Sequence, residues 1–532
     1  MAETYDYVIV GAGSAGCVLA ERLSASGRFS VLVLEAGGSD RRFWIKVPVG
    51  YAITHRDPAL NWGDHTQADA ALQGRSGFWP RGKVVGGSGS INAMAYVRGL
   101  PQDFDDWQAA GAEGWNWQAV RETYDRIETQ SDAETPGGPV WVQDLSDQMH
   151  PFSRRFLEAA RDAGFATPHN MNGEGAEGIT PYRSTVRRGV RWSSADAFLR
   201  PALKRDKVRL INRAHVTGLN FDGRRVTGLS YERKGVPHQV YARQEVILSA
   251  GAINSPQILQ MSGVGPASLL RDLGIEVRHD LPHVGANLQD HLAVSYQFRA
   301  TTPTLNNVLG RQIPRMLAGL RYLATRRGPL AVPVNQMGGF VRSHDGAAAP
   351  DMQLFCNPAS YDISARGEVV LDRTPGYLLS AQPCRPTSRG SVMIRSADPY
   401  TRPAIDANSL ATEQDRAAAV RGVKLLRRLA DSATLQAVTR DCKTPGFADM
   451  DDDALLEDFR ARSSTVFHPT CTCRMGRDAS GSVIDGRMRV HGLAGVRVVD
   501  ASAFPNITSG NTNAPTMMLA LRAADLILQD AS

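Results

Sequence analysis

The sequence predicts an α/β fold with an α+β cap. The expected body is a Rossmann-like dinucleotide-binding domain, with a discontinuous substrate-binding cap domain containing an antiparallel sheet. Three observations predict it. Tyr7–Val10 reads as a buried strand that runs into Gly11-Ala12-Gly13-Ser14-Ala15-Gly16, then a helical pattern through Leu23, then a second apolar strand, Val31–Leu34, ending on Glu35. Residues 468–532 return to that strand–loop–helix style, with Val496–Asp500, a loop and a helix from Pro515. Residues 300–467 differ, with strand-like runs and long helical patterns that do not alternate as βαβ units.

The elements have local reasons, taken in order. Gly11 permits a tight turn, Gly13 lets the backbone approach a pyrophosphate, and Gly16 lets helix and strand pack closely. The helix that follows offers free N–H groups and a positive dipole end to phosphates. Glu35, about 24 residues after Gly11, has the spacing of an acid that holds a ribose hydroxyl. A carboxylate there disfavours a phosphorylated ribose and so argues against NADP. Residues 39–80 lack periodicity and carry Phe43, Trp44, Tyr51 and Trp62, which suggests an excursion over a cleft. Gly82–Asn92 is Gly/Ser-rich yet anchored by Val84, Val85 and Ile91, the pattern of a backbone nest for an anion.

Helices are expected near Phe104–Ala110, Trp117–Gln130 and Phe152–Ala163. Val208–Ile211, Val216–Phe221, Val226–Glu232 and Gln239–Ala242 alternate like an antiparallel ribbon, and Glu245–Ser249 reads as a short buried strand. Beyond residue 300 come a basic amphipathic helix (Arg311–Arg327), strands at Met352–Cys356, Gly376–Gln382 and Ser391–Arg395, and a long helix, Glu413–Asp431. This order implies that residues 1–157, 205–299 and 468–532 form the nucleotide-binding domain, and 158–204 and 300–467 the cap.

Bulk properties exclude several classes. At 532 residues the chain exceeds one ordinary core. The +6 net charge is spread over many Arg residues with no run long enough for a nucleic-acid arm. Six Cys in this length make no disulfide framework. The first strand starts within ten residues of Met1, leaving no room for a signal peptide, and no apolar run reaches spanning length. A cytoplasmic protein without a nucleic-acid partner is the expectation. His468, Cys471 and Cys473 crowd three potential ligands into six residues with no second cluster, a poor tetrahedral set, so no metal is expected.

Two further segments carry a resemblance. Arg81–Gly99 resembles the first signature of the glucose–methanol–choline (GMC) oxidoreductases, and Gly251–Pro266 the second. The glycine motif, both signatures and a tail of His468-Pro469-Thr470 and Asn511-Thr512-Asn513-Ala514-Pro515 occur in the family's order over essentially the whole chain. The style is that of bacterial choline-dehydrogenase-like members. The resemblance implies bound FAD. It places Gly11, Gly13 and Gly16 at the pyrophosphate and Glu35 at the adenosine ribose, with Ser14, Ala15 and Ala36 also binding the cofactor. Gly87 and Asn92 would lie along the flavin and Val216 would contact the adenine through its backbone, with Arg81, Val85, Ala93 and Ala250 also binding the cofactor. Asp500 and Ala501 would hold the ribityl and pyrophosphate region and Asn513 would approach the pyrimidine edge of the ring, with Asn511 also binding the cofactor. Pro515, in the first turn of the last helix, would aim that helix's positive end at the flavin N1–C2=O edge. Some members link FAD covalently through a His that corresponds to Ile91, so non-covalent FAD is expected.

His468 matches the family's catalytic His and Asn511 its partner. An alcohol must lose a proton from oxygen and a hydride from carbon; a His of near-neutral pKa can take the proton and Asn511 can hold the oxygen. The implied function is oxidation of a primary alcohol to an aldehyde, with electrons passing to a quinone-like acceptor or to oxygen. Oxidase, hydroxynitrile lyase and, through Cys384 beside Arg385, a light-driven fatty-acid decarboxylase are the alternatives. Phe355, Asn335, Met337, Trp62 and Phe467 are candidate substrate walls.

Overall fold

The computed structural model describes residues 3–173, 175–363 and 369–531. Strand β1 (Glu3–Val10) leads through Gly11–Gly13 into helix α1 (Ser14–Ser24) and back to strand β2 (Val31–Glu35). All five residues of β2 are buried, as in a parallel sheet covered on both faces. Each such Val or Leu contributes roughly 1.5–3 kcal/mol of burial. The first sheet runs in the order Val208–Asn212, β2, β1, Val236–Leu248, Arg225–Arg233, His215–Asp222, and Val496–Val498 also pairs with Val236–Leu248. Register puts Val10 level with Leu34 and Leu248, and Leu248 level with Val498. The carboxyl ends of four parallel strands therefore release Gly11, Glu35, Ser249 and Val499 along one edge, where open α/β sheets bind ligands.

Three elements differ from the sequence expectation. Val208–Asn212 does not join the antiparallel ribbon; it pairs parallel with β2. Gln239–Ala242 and Glu245–Ser249 merge into one strand, Val236–Leu248, which pairs antiparallel with Arg225–Arg233 and parallel with β1. The helix from Trp117 stops at Ile127, and Glu128–Gln130 becomes a strand beside Val140–Val142.

The second sheet is antiparallel throughout: Thr439–Cys442, Leu292–Ala300, Gly376–Pro383, Met352–Asn357, Met337–Val341, Gly178–Pro181. It includes Leu292–Ala300, which the sequence places in the nucleotide-binding part, whereas Ala195–Ala202 packs on α1 rather than on the cap. Period-2 alternation divides this sheet's faces. Leu354, Cys356, Leu379 and Ala381 pack into a core with helices Phe152–Asp162 and Glu413–Ala430. Phe355, Asn357, Leu378 and Ser380 face a cavity.

Candidate active site

One cavity of about 1230 Å³ runs from the strand ends of the first sheet to the open face of the second. That exceeds the roughly 300–1,000 Å³ of a small-ligand pocket and leaves room for a dinucleotide with a substrate beyond it. Gly11, Gly13, Ser14, Ala15, Glu35, Ala36, Arg81, Gly87, Asn92, Ala93, Val216, Ala250, Asp500, Ala501, Asn511, Asn513 and His468 all line it. Gly16 and Val85 do not. A Cβ at Gly16 would sit 1.9 Å from the Gly11 carbonyl oxygen, so Gly16 serves helix–strand packing alone. Val85 is turned into the hydrophobic core.

The cradle needs glycine. Gly11 has φ +100° and Gly87 φ +54°. A Cβ on Gly87 would lie 2.8 Å from the Gly13 Cα, and one on Gly11 would lie 2.5 Å from the Ser249 carbonyl oxygen. The two glycine loops thus meet backbone to backbone, with space for a phosphate chain and none for side chains. The Ser14 hydroxyl donates to Asn513 Oδ1 at 2.6 Å, which joins the first turn of α1 to the first turn of the terminal helix Asn513–Asp530. Two positive helix ends therefore converge on one cavity wall. Arg191, fully buried, donates to Asn92 Oδ1 at 2.7 Å and to the Gly89 carbonyl, and so fixes the amide of the first signature. These features fit FAD.

Glu35 is buried; its Oε2 accepts from the Ala12 N–H at 2.9 Å and its Oε1 from the Gly37 N–H at 2.7 Å. Burial pushes its carboxyl up to about 7 against those two bonds. Each oxygen keeps a lone pair for a ribose hydroxyl. Glu35→Gln is expected to weaken FAD binding by about 1–3 kcal/mol, measured as FAD affinity of the folded apoprotein. An unchanged affinity would remove Glu35 from the ribose site. Asp500 behaves differently from expectation. Its two oxygens accept four bonds, from the Gly251 N–H, the Ser255 hydroxyl, and the Ser502 N–H and hydroxyl. Its carboxylate is saturated, so it clamps the strand end and only its backbone can meet a ligand.

At the far end, His468 is held on every side. Its N–H donates to Asp290 Oδ1 at 2.7 Å. The preceding Phe467 adopts φ +72°, and Thr465 and Arg81 hold it there: the Phe467 N–H donates to Thr465 Oγ1, and Arg81 donates to the Phe467 carbonyl at 2.8 Å. Arg81 therefore lines the cavity while bracing the loop that carries His468. The ring has two partners. His468 Nδ1 lies 3.0 Å from His291 Nδ1, and His468 Nε2 lies 3.1 Å from Asn511 Nδ2.

Two backbone carbonyls decide who donates. The Cys384 carbonyl can only accept, so His291 Nε2, 2.9 Å away, carries its hydrogen and His291 Nδ1 is the acceptor. His468 Nδ1 must then donate. On the other side, the Tyr182 hydroxyl donates to the Leu354 carbonyl and accepts from Gln353 Nε2, which also reaches Asn511 Oδ1 at 3.5 Å. That orients Asn511 Nδ2 toward His468 as a donor. Both chains specify the same tautomer, with the hydrogen on Nδ1 and the lone pair on Nε2. Burial, followed by the fields of His291 and Arg81, holds the His468 pKa well below the ordinary imidazole range, not near neutrality as expected. Burial likewise lowers His291 to about 4.

Sequence reasoning missed His291, Gln353 and Arg191; no local motif marks them, because each acts on a residue far away in the chain. Cys384 is buried outside the cavity, and its part is played by its carbonyl. Arg385 is engaged with Asp103 at 3.3 Å, so the pair is not arranged for a decarboxylase. Cys471 is buried, with its thiol donating to Gln289 Oε1. Phe355, Asn335, Trp62 and Phe467 line the cavity; Met337 is in the core of the second sheet.

Fold and site together define a dinucleotide-dependent oxidoreductase, a phosphate cradle continuous with a buried imidazole that carries its hydrogen on Nδ1. The chain belongs to the GMC oxidoreductase family, whose N-terminal pattern matches residues 5–293 and whose C-terminal pattern matches residues 386–520. Its cofactor is FAD. It is 41% identical to an alcohol dehydrogenase [acceptor] of Pseudomonas putida over 99% of this chain and 96% of that protein. It is 39% identical to the mitochondrial choline dehydrogenase of Homo sapiens, over 99% of this chain and 90% of that one. Among solved structures, pyridoxine 4-oxidase from Mesorbium loti superposes with a TM-score of 0.88 at 29% identity, covering 98% of both chains.

Proposed function

We propose that this protein oxidises an uncharged primary alcohol to an aldehyde, with His468 as the base and a quinone-like molecule as the preferred electron acceptor. The observation that carries the reading is the doubly specified tautomer of His468, which leaves on Nε2 a lone pair that accepts from Asn511, both residues lining the FAD cavity. His468 Nε2 takes the hydroxyl proton. Asn511 Nδ2 moves its hydrogen bond from Nε2 to the substrate oxygen and holds it without competing for the proton. Bound FAD supplies the acceptor for the hydride from the carbinol carbon. The imidazolium formed on His468 keeps its Nδ1–H on His291. Burial of His468, only 8% exposed, excludes water from the proton transfer.

Leu309, Leu330, Val334, Phe355 and Leu378 give the cavity an apolar stretch, beside Asn335, Asn357 and Ser380, suited to an alkyl or aryl chain. The relationship to the P. putida alcohol dehydrogenase [acceptor] supports an alcohol as substrate and a separate electron acceptor. Anaerobic mixing with straight-chain primary alcohols is expected to bleach the flavin faster than mixing with choline. Turnover is expected to rise severalfold with a quinone or dye over oxygen alone. Hydrogen peroxide formed in step with alcohol consumed, with no gain from the dye, would make the protein an oxidase.

A further inference from the structure

The helix Gln312–Thr325 is inverted relative to a core-facing amphipathic helix. Its small and aromatic side, Ala318 and Tyr322, is buried, and the Tyr322 hydroxyl donates to the Gly189 carbonyl. Its large apolar side chains point outward: Ile313 is 68% exposed, Met316 59%, Leu317 57%, Leu320 58% and Leu323 55%. At 100° per residue these five make one continuous stripe. A monomer surface seldom carries such a contiguous patch without a partner.

Charge identifies the partner. Arg311, Arg315, Arg321, Arg326 and Arg327 lie on or beside the helix, all exposed, and no Asp or Glu occurs between Asp290 and Asp345. Among the described residues none of these five arginines ion-pairs with a carboxylate. Leucines on one side and unpaired arginines around them are the pattern of a helix lying in a headgroup layer. A second copy of the chain would satisfy the leucines but would bring two arginine sets together. No helix among the described residues is long and apolar enough to cross a membrane.

The cavity reaches the first turn of this helix. The excursion Phe43–Thr54 packs against the base of this helix through Val47, which shares a hydrophobic cluster with Ala318, Tyr322 and Leu330. Exposed Trp44 and Ile53 from the excursion, and exposed Gln312 and Arg315 from the helix, line the cavity's outer end.

We propose that the Gln312–Thr325 helix docks this protein onto an anionic phospholipid surface, lying in the headgroup plane with the cavity mouth toward the bilayer. The proposal is independent of which alcohol is oxidised. The test is cosedimentation of the FAD-loaded protein with sucrose-loaded vesicles of phosphatidylcholine, with and without phosphatidylglycerol. Wild type is expected to pellet with the phosphatidylglycerol vesicles, less with the neutral ones, and to be released near 1 M salt, where the Debye length falls to about 3 Å. Leu317→Ser/Leu320→Ser is expected to lower vesicle affinity at least about ten-fold, and Arg321→Gln/Arg327→Gln to abolish the preference for anionic lipid. Both variants are expected to keep bound FAD and turnover of a water-soluble alcohol, which shows that they fold. Wild type that stays in the supernatant, or a leucine variant that pellets equally, overturns the proposal. So does a vesicle-free dimer that the leucine substitutions dissolve, which would make the occupant a second copy.

Discussion

His468→Ala is expected to slow anaerobic flavin reduction by about 10²–10⁴-fold, the scale of a positioned proton acceptor. FAD content should stay normal, because the phosphate cradle and Glu35 lie at the other end of the cavity. The pH dependence carries a second signature. A base whose pKa burial has lowered is already neutral at pH 7, so wild-type kcat/KM should rise through an ionisation well below 6.5 and stay flat across neutrality. The variant should lose that low-pH limb. Asn511→Ala should also slow reduction but keep the limb, since an amide does not titrate. The double variant should be less than additive, because both residues act on one oxygen. A His468→Ala protein that reduces flavin within a few-fold of wild type would make His468 structural.

His291→Leu is expected to lower kcat/KM by about ten- to hundred-fold without touching substrate. The substitution removes the acceptor for His468 Nδ1–H and leaves a buried donor unpaired, a penalty of about 1–3 kcal/mol. The ring can recover it only by rotating or by moving its hydrogen to Nε2, and either change removes the lone pair that accepts from Asn511. The loss should fall in kcat with KM nearly unchanged, since the cavity walls remain. His291→Gln, whose amide oxygen can accept while its nitrogen donates to the Cys384 carbonyl, should restore part of the rate. Equal loss in both variants would assign His291 to packing alone.

The contrast between these two histidines shows what was legible in the sequence. His468 stands in a motif, and its chemistry follows from residue type and order. His291 follows Gln289-Asp290 at the start of a strand, and its meaning comes from a partner 177 positions away. Gly11, Gly13 and Gly87 could be read because a positive φ or a close backbone approach admits glycine alone. Asp500 was assigned to the ligand because its position matched; only its four bound donors show that it has nothing left to offer. Val85 and Met337 share one failure, since an apolar residue beside a site is as easily core as wall. The strand Val208–Asn212 alternates like a ribbon member, but alternation specifies a half-buried strand and not its neighbour. The helix Gln312–Thr325 was legible as amphipathic; which side it buries was not.

The hydrogen bond between Ser14 and Asn513 closes a loop of almost the entire chain. Together with the pairing of Val496–Val498 to Val236–Leu248, it makes completion of the cofactor cradle wait for a segment made long after the first glycine loop. During synthesis the β1–α1–β2 unit emerges long before the helix Asn513–Asp530 that completes its wall, since Ser14 and Asn513 lie 499 positions apart. Contacts this remote in sequence fold slowly, and the apolar strand ends stay open meanwhile. The supply of free FAD at that moment, and not only the rate of translation, would then set how much of the protein reaches its mature state.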